Sequence, residues 1–157
     1  TIMRHSLVCN VVLLVSCLVH TSLCFMPANP SGGALDGQRF RLIYTDDIGG
    51  SDCDDYQFIA NFLFYVNEFD IEAFITTTPF NGGVQSFYKA FEAYDGAFPV
   101  LEKHKSNYPT AQELRSKVHA GKKTSPGSQG WGAPTNGSKA IISIAMQDDE
   151  RPVYVIT

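Results

Sequence analysis

Apolar and polar positions change period several times along the chain, and each change marks an element. Arg39 to Tyr44 carries a compact apolar run from Phe40 and has the length of a short buried strand. From Asp55 to Asn67 the period becomes helical. Phe58, Ile59, Phe62, Leu63 and Val66 fall on one stripe, which predicts a helix laid against a sheet. Asp70 to Thr78 reads as a second strand, Ile71-Glu72-Ala73-Phe74-Ile75 followed by three threonines. Strand, helix and strand within about forty residues make a βαβ unit, with parallel strands and a right-handed crossover.

Further on, Val84 to Tyr94 predicts a helix with Phe87, Tyr88 and Phe91 on one side. Thr110 to Ala120 predicts another: Pro109 precedes it, Thr110 and Glu113 make a capping box, and Gly121 ends it. Residues 122–137 are rich in Gly, Ser, Pro and Asn around Trp131, and a loop of that length is often a lid or a binding loop. Ser138 to Gln147 reads as a helix through Ile141, Ile142, Ile144, Ala145 and Met146, and Arg151 to Thr157 opens another buried strand. The expected fold class is α/β, a Rossmann-like open, mostly parallel sheet with flanking helices.

The first residues follow a different pattern. Arg4 and His5 precede the apolar run Val11 to Val15, and Ser22-Leu23-Cys24 offers small or compact residues where a signal peptidase cuts. Residues 1–24 are therefore expected to be a secretory signal peptide, too short and too broken by Ser16, His20 and Thr21 to be a membrane anchor. Residues 25–38 follow as a flexible leader, and residues 39–157 as the folded domain. The expected setting is extracellular, with no membrane attachment once the signal is removed.

Composition adds exclusions. The chain has 157 residues, 44% apolar content and a net charge of −4, which suits one globular domain. Its basic residues are scattered, so no nucleic-acid partner is expected. Cys9, Cys17 and Cys24 lie in the signal, leaving Cys53 alone and no disulfide framework; Cys53 reads as a small spacer. His104 and His119 stand singly on polar stretches and are expected at the surface. No Gly-x-Ser-x-Gly elbow occurs to support a nucleophilic triad. Oligomeric state, a homo-oligomer included, is left open.

The chemistry concentrates in Thr45-Asp46-Asp47-Ile48-Gly49-Gly50-Ser51-Asp52-Cys53-Asp54-Asp55, between the first strand and its helix. Strand-to-helix loops of an open α/β sheet lie at the carboxyl edge of the strands, where ligands bind. Carboxylates so close repel one another unless a cation or a raised pKa relieves them. A hard cation such as Ca2+ is the simplest relief, because it takes about six to eight oxygen ligands. Asp47, Asp54 and Asp55 are the candidate metal ligands, with Gly49 and Gly50 turning the backbone. An EF-hand does not fit: counted from Asp52, Gln57 holds the sixth position and Leu63 the twelfth, where Gly and Glu are needed.

Asp47-Ile48-Gly49-Gly50, the pair Asp54-Asp55 opening a helix, and Asn67-Glu68-Phe69-Asp70-Ile71-Glu72 at that helix's end resemble the nucleoside hydrolase-like superfamily. The likeness is nearer to the secreted family of cellulose-binding proteins with a nucleoside-hydrolase-like domain. It runs from about Arg39 to Thr157, and the resemblance implies that more sheet and more of the site follow, so the domain is expected to be truncated at its C-terminal end. It further implies hydrolysis of an N-glycosyl bond, with Asp47 as general base and metal ligand and Asp54 and Asp55 as ligands of Ca2+. Consecutive Asp46 and Asp47, with Asp52-Cys53 lengthening the loop, leave two further registers open, in which Asp46 or Asp52 takes a ligand position. Asn81, after Ile75-Thr76-Thr77-Thr78, resembles the family's substrate-binding Asn; its neighbours Gly82 and Gly83 equally suit a plain turn.

The alternative function is a secreted carbohydrate-binding protein, acting on cellulose without catalysis, in which Trp131 and Tyr108 serve as sugar platforms. Trp131 can equally tuck beneath its own loop. The expected partner is thus a ribosyl or other sugar-containing small molecule, or a polysaccharide. Asn136-Gly137-Ser138 is an acceptor sequon for glycosylation at Asn136.

Overall fold

Among the described residues, four strands form one parallel sheet: β1 (Phe40–Asp46), β2 (Phe69–Thr76), β3 (Val118–Ala120) and β4 (Val153–Ile156), in the order β3-β2-β1-β4. The structure is a computed structural model that describes residues 38–49, 53–77, 83–122 and 132–157. All of these lie in the unit Gly37–Thr157. The helices are α1 (Asp54–Leu63), α2 (Val84–His104), α3 (Ala111–Ser116) and α4 (Asn136–Ala145), with a 3-10 turn at Val66–Glu68. The expected signal and all but the last residue of the expected leader, Gln38, fall outside the described residues. None of the described helices is long and apolar enough to cross a membrane.

Alternation along the strands sorts the core into two layers. Leu42, Tyr44 and Phe74 face α1, α2 and α3, packing with Ile59, Leu63, Phe87, Phe91 and Leu114. Ile43, Ala73 and Ile75 face the other way, onto Ile144 of α4. Strict alternation would place Ile71 and Phe74 on opposite faces, three residues apart, yet both lie in the first layer. The register explains this: Leu42 pairs with Ile71 and Ile43 with Ala73, so Glu72 is an extra residue at an irregularity of β2.

Glu72 and Arg41 meet beside that irregularity. Arg41 is only 2% exposed. Its Nε donates to Glu72 Oε1 at 2.7 Å, and its Nη2 to the Ile144 carbonyl at 3.2 Å and to Gln147 Oε1 at 2.5 Å. Its Nη1 reaches the Arg151 carbonyl at 3.4 Å. One buried guanidinium thereby joins β1 to β2, to the end of α4 and to the turn that leads into β4. Arg151 extends the clasp, pairing with Asp149 at 2.7 Å and Asp70 at 2.5 Å, while Arg39 pairs with the same Asp70 at 2.6 Å.

Several boundaries differ from expectation, each for a packing reason. Helix α1 stops at Leu63, and the 3-10 turn takes over, burying Val66 and Asn67. Helix α2 continues past Tyr94 to His104 and tolerates Pro99 within it, with Tyr94 and Leu101 buried against the first layer. Helix α3 has the expected capping box of Thr110 and Glu113 but ends at Ser116. Residues 118–120 are strand β3, not helix, because their backbone pairs with Phe74, Ile75 and Thr76. His119 accordingly lies half-buried on β3, not at the surface. Helix α4 starts at Asn136, where Thr135 and Ser138 form a second capping box. It can start there because Gly137 approaches β2 closely: a Cβ would lie 2.7 Å from Ile75 Cγ2 and 3.1 Å from Gly121 Cα.

Replacing Arg41 by Ala should cost about 3–5 kcal/mol in urea unfolding, because the Glu72 carboxylate and two carbonyls would lose their buried partner. An acid limb should accompany this. Arg151 hydrogen-bonds the Asp149 carboxyl and holds it down at about 2. Asp149 therefore contributes stability that is complete above its unfolded value of about 3.9 and is lost as pH falls toward the folded one. Urea midpoints measured between those limits should drop, and less so in Asp149→Asn.

Candidate functional site

The opposite end of β1 holds the acidic loop. Tyr44 and Asp46 lie two residues apart on one side of the strand, and the Tyr44 hydroxyl donates to Asp46 Oδ2 at 2.6 Å. Tyr44 is 1% exposed, its ring surrounded by Phe58, Phe62, Phe74 and Phe87. The strand ends there, and Ile48, fully buried, pins the turn that follows. Gly49 takes φ 122°, a region that costs a side-chain-bearing residue strain, so the chain can turn away from the sheet. The neighbouring backbone is held too: the Thr77 N–H donates to the Asp46 carbonyl at 2.8 Å. Thr76, the register partner of Asp46, is buried, and its hydroxyl has no hydrogen-bond partner among the described residues.

Helix α1 brings the second acidic pair. Asp54 and Asp55 occupy its first turn, where the positive end of the helix dipole favours carboxylates whether or not a ligand is present. Carboxylate oxygens of Asp46, Asp47 and Asp55 lie within 4.8 Å of one another. Asp54 lines the same cavity, but its Oδ1 accepts the Asp55 N–H at 3.0 Å. The trio expected from sequence was Asp47, Asp54 and Asp55; the one the fold brings together has Asp46 in place of Asp54. Successive helical residues point about 100° apart, so both members of the Asp54-Asp55 pair cannot face one centre equally. Cys53, a free thiol at the N-cap of α1, is exposed and gives no side-chain cap.

Burial pushes the Asp46 carboxyl above the ordinary range, the charges of Asp47 and Asp54 push it further, and the Tyr44 hydroxyl and Ile48 N–H hold it back. Burial likewise raises the Tyr44 phenol, so it stays a donor to Asp46. A cation would relieve this cluster. The donor set consists of hard carboxylate oxygens, which fits Ca2+ or Mg2+ and not a soft metal.

The cavity above these acids has a volume of about 570 Å3. Thr45, Asp46 and Asp47 form its floor with Thr77 of the β2 loop and Thr157 after β4, and Asp54, Asp55, Gln57, Phe58 and Asn61 of α1 form its wall. The sheet order explains its position. The chain leaves β1 toward β2 and β3 by helices on one face and returns to β4 by α4 on the other, so β1 and β4 flank a topological switch point. Phe58 departs from expectation: it is 54% exposed on the cavity side of α1, not part of the core stripe. The spacing of Asp54, Phe58 and Asn61 on one helical face was a signal for this lining.

The other candidates are dispersed. Tyr108, expected as a sugar platform, lies at the far end of the sheet, beside Arg39 and Asp70, and donates its hydroxyl to the Phe64 carbonyl at 2.8 Å. Asn136 is exposed in the first turn of α4. Asn81, Trp131, Asp52 and Gly50 lie outside the described residues.

Residues 41–157 match the family described as "Cellulose-binding Sde182, nucleoside hydrolase-like domain". The chain belongs to this family. A solved structure agrees: a nucleoside hydrolase-related hypothetical protein from Saccharophagus degradans, associated with carbohydrate metabolism, is 35% identical and superposes with a TM-score of 0.63. The match covers 75% of this chain and 30% of that one, so the chain spans less than a third of that relative's length. A comparison with curated proteins finds no match. The fold of this Sde182-type domain is thus a parallel α/β sheet with flanking helices, similar to the nucleoside hydrolase-related fold.

The Tyr44 to Asp46 hydrogen bond favours the ionised carboxylate. In Tyr44→Phe, the Asp46 carboxyl resonance followed by NMR should therefore titrate at a higher pH than in the unmodified protein, and an unchanged midpoint would count against the bond.

Proposed function

We propose that the acidic cavity binds saccharide through a calcium ion held by Asp46, Asp47 and Asp55, with polysaccharide as the partner. The observation that carries this reading is the convergence of three carboxylates within 4.8 Å at the switch point of the sheet. The cellulose-binding description of the family and the association of the solved relative with carbohydrate metabolism support the choice of ligand. A bound calcium supplies a fixed positive charge to which sugar hydroxyls and a water can ligate. The protein's own residues do the rest: Tyr44 and the Ile48 N–H orient Asp46, and the dipole of α1 steadies Asp55. Asn81 and Trp131 are the further residues proposed to reach the ligand, and the expected signal at residues 1–24 would place the protein outside the cell.

Calorimetry should detect calcium uptake, weakened by on the order of tenfold to a hundredfold in Asp46→Asn, Asp47→Asn and Asp55→Asn. Retention on insoluble cellulose should be lost in a chelator and regained with added calcium. Retention that ignores both chelator and variants would reject the cation's role.

A second reading is hydrolysis of an N-glycosyl bond. It is favoured by the exposed Asp47 carboxylate beside half-buried Asp46, which leaves one acid open to a water while the other is held by hydrogen bonds. Asp47 would take the proton of the attacking water as general base. Assayed on ribonucleosides, an active protein releases free base, and Asp47→Asn should slow that release by about a hundredfold or more. Cellulose retention without base release leaves the binding reading alone.

A further inference from the structure

Resting on the saccharide reading, we propose that Phe58, with Gln57 and Asn61, forms a second sugar subsite along α1. The cavity would then take a saccharide of two or more pyranose rings with equatorial hydroxyls. Three observations lead to it. First, Phe58 is 54% exposed and lines the same cavity as the carboxylates. Beyond its contact with Tyr44, the ring stands open to the cavity, and an aromatic face so placed suits a ligand with an apolar face.

Second, the ring is held in place. Its centroid lies 6.1 Å from that of Tyr44 at 35°, and Tyr44 is itself buried and hydrogen-bonded to Asp46. Platform and carboxylate therefore share one rigid support, and little conformational freedom is lost when a ligand stacks. Third, helical spacing places Asp54, Phe58 and Asn61 one above another. Seven residues at about 1.5 Å rise extend this wall by roughly 10 Å from the acidic end, more than one sugar ring needs.

The chemistry of the wall selects the ligand. Gln57 and Asn61 carry exposed side-chain amides into the cavity, able to donate to and accept from neighbouring hydroxyls. A pyranose with equatorial hydroxyls presents C–H groups to an aromatic face and hydroxyls around its rim, which matches a ring flanked by amides.

The test titrates the full chain, in calcium, with glucose and with cellotetraose by calorimetry. Unmodified protein should prefer the tetrasaccharide by about tenfold. Phe58→Ala and Asn61→Ala should each reduce that ratio toward one, and Phe58→Trp should keep it; because both side chains are exposed, circular dichroism and melting should show all variants folded. A ratio unchanged in Phe58→Ala, or equal affinity for both sugars in the unmodified protein, overturns the subsite while leaving saccharide binding in place. No binding of either sugar overturns both.

Discussion

The guanidinium of Arg41 sits where four pieces of chain must meet. A buried charge costs several kcal/mol unless its donors are satisfied. Arg41 satisfies them with a carboxylate on β2, the Ile144 carbonyl near the end of α4, Gln147 just beyond it, and the Arg151 carbonyl in the turn before β4. These partners come from elements more than a hundred residues apart in sequence on one side and about thirty on the other. Meeting them all fixes β4 beside β1. That placement makes the switch point, and the switch point makes the cavity.

The two ends of the sheet divide the labour between stability and chemistry. At the amino-terminal edge, Arg39, Arg151, Asp70 and Asp149 join Arg41 and Glu72 in a network in which each named charge has an opposite partner. At the carboxyl edge, three acids converge on one cavity. Like charges brought that close repel unless something offsets them; the α1 dipole does so in part, and the proposed cation would do the rest. The Asp46 carboxyl is raised chiefly by burial, with the charges of Asp47 and Asp54 adding to it.

The description of the family as cellulose-binding and nucleoside hydrolase-like underlies the two proposed readings of this edge, holding a sugar or cleaving one. The cavity geometry bears on the choice. Its wall continues along α1 past the acids to an exposed aromatic ring and amides, which suits recognition of an extended ligand more than enclosure of a single small one.

The order of elements was legible in the chain because burial imposes its period on the residues themselves: Tyr44 and Phe74 in strands, Phe87 and Phe91 in a helix, and Thr110 with Glu113 as a cap all announce their roles locally. The acidic loop was legible too, since glycine-assisted turns and paired acids at a helix start are short-range features. Local pattern was thus enough for a parallel α/β unit with Asp47, Asp54 and Asp55 expected together after its first strand. It took the folded arrangement to show that Asp46 comes within reach of Asp47 and Asp55, that Phe58 faces the cavity, that residues 118–120 pair as a strand, and that Arg41 is interior. Each of these depends on which distant backbone lies alongside, and no local period encodes that.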